Sequence, residues 1–196
     1  MQNEKIKRLK SAMRVHVACY NLHFPGGSLV ARAGVALSRI RALPAPCLVL
    51  LQEACATTAR VIVEGTRATH RAFHVDASAP FLLTLVPVDL DARVRRVPFP
   101  PALTRMRRSA HLVELRGLVV AHVHLESCAR GAPEREAQAA WLRAVHGASV
   151  LAGDLNGLAG WRTHVVVDAG DADKVRCERV PRVSPHPMCL YSLSTR

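Results

Sequence analysis

Aromatic side chains are scarce in this chain: four Phe, two Trp and two Tyr make up 4% of its 196 residues. So few rings exclude a groove paved with stacking platforms for an extended single strand. Lysine is confined to Lys5, Lys7, Lys10 and Lys174, so most of the positive charge is arginine. The six cysteines (Cys19, Cys47, Cys55, Cys128, Cys177 and Cys189) form no C-x-x-C pair, which argues for incidental free thiols over a disulfide frame or a zinc site. No apolar run approaches the ~18 residues of a membrane span. The polar, basic start from Met1 to Lys10 has no apolar stretch behind it, so the expected location is nuclear or cytoplasmic, not secreted. Acidic residues are the minority, 15 against 27 basic, for a formal net charge of +12. A polyanionic partner met through arginine–phosphate contacts is the reading, although a GC-rich coding sequence gives the same bias.

What is present is a globular composition, 49% hydrophobic and 21% charged, enough for one domain with its own core. We expect a basic, flexible tail over 1–12 and a single domain, a monomer, over 13–196. Apolar alternation or short apolar runs predict strands at Met13–Cys19, Cys47–Leu51, Ala72–Val75, Phe81–Val86, Ala92–Val97, His111–Leu115, Leu118–His124 and Ser149–Ala152. Further strands are expected at His164–Asp168, Lys174–Val180 and Met188–Leu193. Ser28 caps a predicted helix to about Ala42, with Leu29, Val30, Val35, Leu37 and Ile40 inward and Arg32, Arg39 and Arg41 outward. A second helix follows Glu53 to about Thr66, and a third starts at Pro133 and ends near His146.

Polar residues stand at the exits of these apolar runs. They are Asn21; Leu51-Gln52-Glu53; His124-Leu125-Glu126-Ser127; Gly153-Asp154-Leu155-Asn156; and Ser184-Pro185-His186. Together they supply amides, carboxylates, imidazoles and a hydroxyl, the parts of a metal-assisted phosphodiester hydrolase. Glu53 suits a hard divalent cation. In an extended segment Asp154 and Asn156 face the same way and together hold an attacking water. His124 and His186 suit donation to phosphate. Each residue alone has a bland reading: a solvated glutamate, a turn, a core histidine. His122 and His124 share a strand face, but no third zinc ligand is evident.

The ordered set resembles the endonuclease/exonuclease/phosphatase superfamily, which includes deoxyribonuclease I, and within it the tyrosyl-DNA phosphodiesterase 2 branch. The stretch that carries the resemblance is Val97-Pro98-Phe99-Pro100, Met106-Arg107, His124-Leu125-Glu126-Ser127, Arg135 with Gln138, and Gly153-Asp154-Leu155-Asn156. The similarity runs from about Val15 to Leu193. It implies an α/β four-layer sandwich, two mixed sheets face to face with helices outside. It implies Glu53 as the magnesium ligand, with manganese as a substitute, and Asn21 setting phosphate and water. His124 and Ser127 match the phosphate contacts, Asp154 with Asn156 the water-activating pair, and Asp173 the residue that orients His186. Arg107, with Arg130 as stand-in for a displaced arginine, would meet the DNA backbone.

Two departures qualify the resemblance. Pro185 stands where the family has aspartate, removing a carboxylate and a backbone N–H. Only 27 residues (157 to 183) separate Asn156 from Ser184, fewer than in the family, so part of its DNA groove is expected to be missing. A weakened site favours good leaving groups. A tyrosine phenol, with a pKa of about 10, departs far more readily than a sugar hydroxyl. The expected activity is therefore hydrolysis of a 5′-phosphotyrosyl bond joining a protein or peptide to DNA, or to RNA. The alternatives are a catalytically impaired nucleic-acid or protein binding module, and a general nuclease or phosphatase.

Overall fold

Alternation along the first strand decides where everything else packs. Val15, Val17 and Cys19 of β1 (Arg14–Asn21) point into one apolar cluster, and Ala18 and Tyr20 into another. The same split recurs in β2 (Cys47–Ala54), where Leu48 and Leu50 face one way and Val49 and Leu51 the other. A strand buried on both faces must lie between two layers. One layer is helical: α1 (Leu29–Arg41) and α2 (Ala56–Thr66) cover β1 and β2. The other is a second sheet.

These features belong to a computed structural model that describes residues 14–22, 28–74, 81–115, 117–127, 129–158, 165–167, 175–179 and 189–195. The remaining strands are β3 (His70–His74), β4 (Phe81–Pro87), β5 (Arg93–Pro98), β6 (Ser109–Leu115), β7 (Leu118–His124), β8 (Val150–Asp154), β9 (Val165–Val167), β10 (Val175–Arg179) and β11 (Cys189–Thr195). The first sheet runs β10-β11-β1-β2-β4-β3 and the second β5-β6-β7-β8-β9. Among the described residues, only β1–β2 and β7–β8 pair in parallel, and the other neighbours are antiparallel. Helix α3 (Ala132–His146) covers the second sheet, its Ala139 and Leu142 packing on Val97, Ala121, Val123 and Leu151. The result is helices, sheet, sheet, helix: a deoxyribonuclease I-like four-layer α/β sandwich with mixed sheets.

Helix α1 differs from expectation. Its buried residues are Ala33, Ala36 and Ile40, whereas Leu29, Val30 and Val35 are exposed. Small alanines let the helix lie close on the sheet, and that close face outweighs the bulkier stripe. Leu37 packs instead against α2, where a Cβ on Gly65 would come within 2.3 Å of its Cδ2. Arg39 is not simply solvated either: its Nη1 donates to the Tyr20 hydroxyl at 2.8 Å, with the guanidinium 5.3 Å from the ring centre.

The gap between the sheets changes character along its length. At one end it is filled by Val15, Leu48, Val113, Leu118, Val150 and Leu193. Toward the other end a buried polar row replaces them. Gln52 Nε2 lies 2.8 Å from His122 Nε2, His122 Nδ1 2.8 Å from Thr84 Oγ1, and Thr84 Oγ1 2.9 Å from His111 Nδ1. His122 is therefore a link between the sheets and no zinc ligand. Among the described residues no group of three or more His, Cys, Asp or Glu could hold a metal.

Candidate active site

The two parallel pairs place four strand exits at the same end of the gap. Asn21 ends β1, Glu53 lies near the end of β2, His124 ends β7 and Asp154 ends β8. Asn21 Nδ2 donates to Glu53 Oε1 at 3.1 Å and to Asp154 Oδ2 at 2.9 Å, joining carboxylates 101 positions apart in sequence across the two sheets. His124 Nε2 lies 3.8 Å from each of the same two oxygens.

Local backbone re-aims these groups. The β2–β4 register shifts between Leu51 and Ala54, and Glu53 takes φ 55. Arg107 (φ 53) and Asn156 (φ 48) are also left-handed. Among the described residues, the three non-glycine residues with positive φ thus flank this one site. Such a conformation costs an L-residue about 1 kcal/mol or more, and strain of this kind gathers where geometry serves chemistry.

Asn156 departs from the extended pairing expected with Asp154. The chain leaves β8 at Asp154 and turns, so the Asn156 backbone N–H caps Asp154 Oδ1 at 3.0 Å. Its Nδ2 donates to Leu125 O at 2.8 Å and to Ser127 Oγ at 3.3 Å, holding the turn after β7. Both Asp154 oxygens are thereby fixed by donors, one from each sheet.

Arginine enters the site at Arg108, not at Arg107, whose side chain is exposed. Arg108 Nη1 donates to His124 Nδ1 at 3.0 Å and Nη2 to Ser127 Oγ at 3.0 Å. Because guanidinium only donates, His124 Nδ1 must accept, and the ring proton sits on Nε2, toward Glu53 and Asp154. Burial, then the Arg108 charge, lowers the His124 pKa against the raising effect of Asp154, Glu53 and Glu126. A neutral imidazole with its N–H aimed between two carboxylates is the result.

Glu126 organises the loop that delivers Arg108. Only 2% exposed, it accepts from Arg105 N at 3.0 Å, Met106 N at 2.8 Å, Thr104 Oγ1 at 3.0 Å and Gln138 Nε2 at 3.3 Å. Gln138 Oε1 takes the Glu126 N–H, and Arg135 Nη1 donates to the Glu126 carbonyl at 3.0 Å. Arg135 and Gln138, spaced three apart on α3, serve this turn. The sequence singled them out without disclosing that role. Arg108 differs from Arg107 by one position in a left-handed turn, which no spacing rule reveals.

Arg130 lies exposed in the 3-10 turn Ala129–Gly131. Asp173, Ser184, Pro185 and His186 lie outside the described residues.

For a hard divalent cation the donors fit. Magnesium takes one or two carboxylates and keeps several waters, without needing an all-protein cage. Glu53 and Asp154, partly open to solvent at 25% and 23% side-chain exposure, are such a pair.

The buried histidines make stability pH-dependent. Burial, with Arg96 and His74 nearby, pushes His111 down to about 4, and burial lowers His122 well below 6.5. Depressed pKa values mean the unfolded chain binds more protons, so this stability is complete above about pH 6.5 and is lost as pH falls toward 4. For His111 alone the loss is on the order of 3 kcal/mol. Urea midpoints should therefore fall steadily from pH 7 to pH 4.5; a flat profile contradicts the neutral assignment.

No protein-family profile matches the chain, and no curated protein matches it at a significant level. Solved structures do. A truncated TDP2 of Caenorhabditis elegans is 18% identical with TM-score 0.62, covering 91% of this chain and 84% of that one. TDP2 of D. rerio complexed with single strand DNA product is 18% identical with TM-score 0.60, covering 93% and 84%. The fold is theirs. An endonuclease/exonuclease/phosphatase from Bacteroides vulgatus is 13% identical at TM-score 0.55, over 93% of this chain and 87% of that one. Among the described residues no helix is long and apolar enough to cross a membrane.

Proposed function

We propose that this chain binds the phosphate ester at the 5′ end of a nucleic-acid strand, and that its residues suit magnesium-assisted hydrolysis of a 5′-phosphotyrosyl linkage. The observation that carries this reading is the Asn21 amide shared between Glu53 and Asp154, with the His124 N–H aimed at the same two oxygens.

Glu53, with Asp154 beside it, would hold the cation, which when bound neutralises phosphate charge and polarises the P–O bond. Asp154, held by Asn21 and the Asn156 N–H, orients an attacking water and takes its proton. His124 donates through Nε2–H to a phosphoryl oxygen. Arg108 and Ser127, bonded to each other, present charge and hydroxyl on the flank of His124. Arg107 and Arg130, both exposed, would meet the phosphates of the strand's backbone. The resemblance assigns a further donor role to His186 and its orientation to Asp173. Phenolate leaves without a strong acid, so the site needs no general acid of its own for this substrate.

The test is incubation of the protein with a 5′-tyrosyl oligonucleotide. Release of tyrosine should require Mg²⁺, stop on chelation and fall on the order of 10³-fold in Glu53→Ala. Release insensitive to Glu53→Ala rejects the assignment. A second reading, binding without turnover, is favoured by Pro185 in the last motif. It predicts salt-sensitive oligonucleotide binding with no product, and a large gain in activity on Pro185→Asp.

A further inference from the structure

The buried polar row does not end inside the protein. Gln52 fixes its direction. Its Nε2 donates to the Leu50 carbonyl at 2.9 Å, an obligatory acceptor, so the amide nitrogen also faces His122 Nε2 at 2.8 Å. His122 Nε2 must accept, and its Nδ1–H donates to Thr84 Oγ1. The Thr84 hydroxyl then donates to His111 Nδ1, which leaves the His111 proton on Nε2. His111 is only 3% exposed, yet no described residue partners that Nε2–H.

His111 lines a cavity of about 210 Å³ at the open edge of the sandwich, together with Ala72, Phe73, His74, Val94 and Arg96. The cavity lies between edge strand β3 of one sheet and β5 and β6 of the other. Arg96 is the cross-strand partner of His111, and its Nε donates to Ser109 Oγ at 3.3 Å, leaving both Nη groups without a protein partner among the described residues. His74 stacks on Phe81, with ring centres 5.5 Å apart. The polar side chains that line the cavity are thus an arginine and two histidines, with no carboxylate among its lining residues.

We propose that this cavity is a second anion site, separate from the Glu53–Asp154 pocket, which takes a phosphate-class oxyanion between the Arg96 guanidinium and the His111 Nε2–H. The hydrogen-bond row is what makes it a built site. Four side chains from four strands fix one tautomer of a buried imidazole so that it presents a donor, while Arg96 supplies the charge and a fork of N–H groups. Phe73 and Val94 form apolar walls beside the two donors, and a less polar surround strengthens a contact to an anion. The volume admits a phosphate with part of an attached sugar or ester. The inference does not rest on the hydrolytic reading.

The test follows His111 itself by its ring ¹⁵N resonance, on protein labelled at histidine, during titration with sodium phosphate and with sodium chloride at matched ionic strength. The expected result is a saturable shift of His111 Nε2 with phosphate only, with a Kd of about 1 mM or tighter. Arg96→Gln, a change on the exposed edge strand, should weaken it at least ~10-fold, while the other histidine resonances report that the fold is intact. No shift of His111, an equal shift with chloride, or a shift unchanged by Arg96→Gln overturns the proposal. A 5′-phosphorylated trinucleotide forms the second arm. Saturation at lower concentration than with inorganic phosphate identifies a strand phosphate as the occupant, and the reverse order identifies the free anion. A response confined to His124 would place all phosphate binding at the Glu53–Asp154 pocket and also overturn the second site.

Discussion

Alanine at position 153 is expected to cost roughly 4 kcal/mol, summing overpacking of a tight contact with a forbidden backbone conformation. Gly153 sits in β8 at φ 132, and a Cβ there would stand 2.0 Å from the Val123 carbonyl oxygen and 3.1 Å from Val123 N. Those atoms belong to the β7–β8 ladder, which pairs Val123 with Gly153 and His124 with Asp154. Neither strand can yield without losing that pairing. A loss of this size is a large share of the ~5–15 kcal/mol that stabilises a typical domain. Urea unfolding and a melting curve measure it, with a melting temperature lower by roughly 10 °C or more. A variant as stable as the parent would mean that β7 and β8 are not in this register. The position also separates two roles, because any folded remnant of Gly153→Ala should have Asp154 displaced from Asn21.

Glu126→Gln is expected to be damaging although the side chain keeps its shape. One carboxylate oxygen accepts from the backbone of Arg105 and Met106, the other from Thr104 Oγ1 and Gln138 Nε2. Either orientation of an amide sets its NH₂ against donors and leaves at least one buried N–H unpaired. The expected cost is about 2–3 kcal/mol. The chemical consequence is larger than the thermodynamic one. Thr104 Oγ1 also accepts the Arg108 N–H at 2.9 Å, so releasing Thr104 frees the turn that aims Arg108 at His124 and Ser127. Turnover on a phosphotyrosyl substrate should drop by about 10²-fold through loss of the donor's placement, with the Mg²⁺ requirement unchanged. Arg108→Ala should reproduce the activity loss without the loss of stability. If Glu126→Gln keeps full activity and stability, the turn does not position Arg108.

Four strand ends were readable in the sequence because β1, β2, β7 and β8 each close an apolar run on a polar residue. Asn21, Glu53, His124 and Asp154 were visible for that reason, and the sandwich brings all four together. What was not readable depends on relations between strands. The row from Gln52 to His111 exists because even or odd positions on four separate strands happen to share one layer, and parity within a single strand does not reveal that. Helix α1 misled because Ala33 and Ala36 bury a face that carries almost no hydrophobic signal, while Val30 and Val35 stay in water. Arg108 is not legible in the sequence, because a left-handed residue at Arg107 swaps which neighbour points inward. The spacing predicts an extended backbone at Asn156, and a turn at the end of β8 sends its amide to Leu125 and Ser127 instead.

Parallel pairing of β1 with β2 and of β7 with β8 has an outcome that reaches past either sheet. Each pair, with the helix that bridges it, contributes half of a constellation: amide and glutamate from one, imidazole and aspartate from the other. Neither half can do anything alone. Competence is therefore a report on how well the two leaves of the sandwich are closed, and a substitution at Leu50 or Val120 that lets them slide should dim the chemistry well before the helices or strands begin to melt.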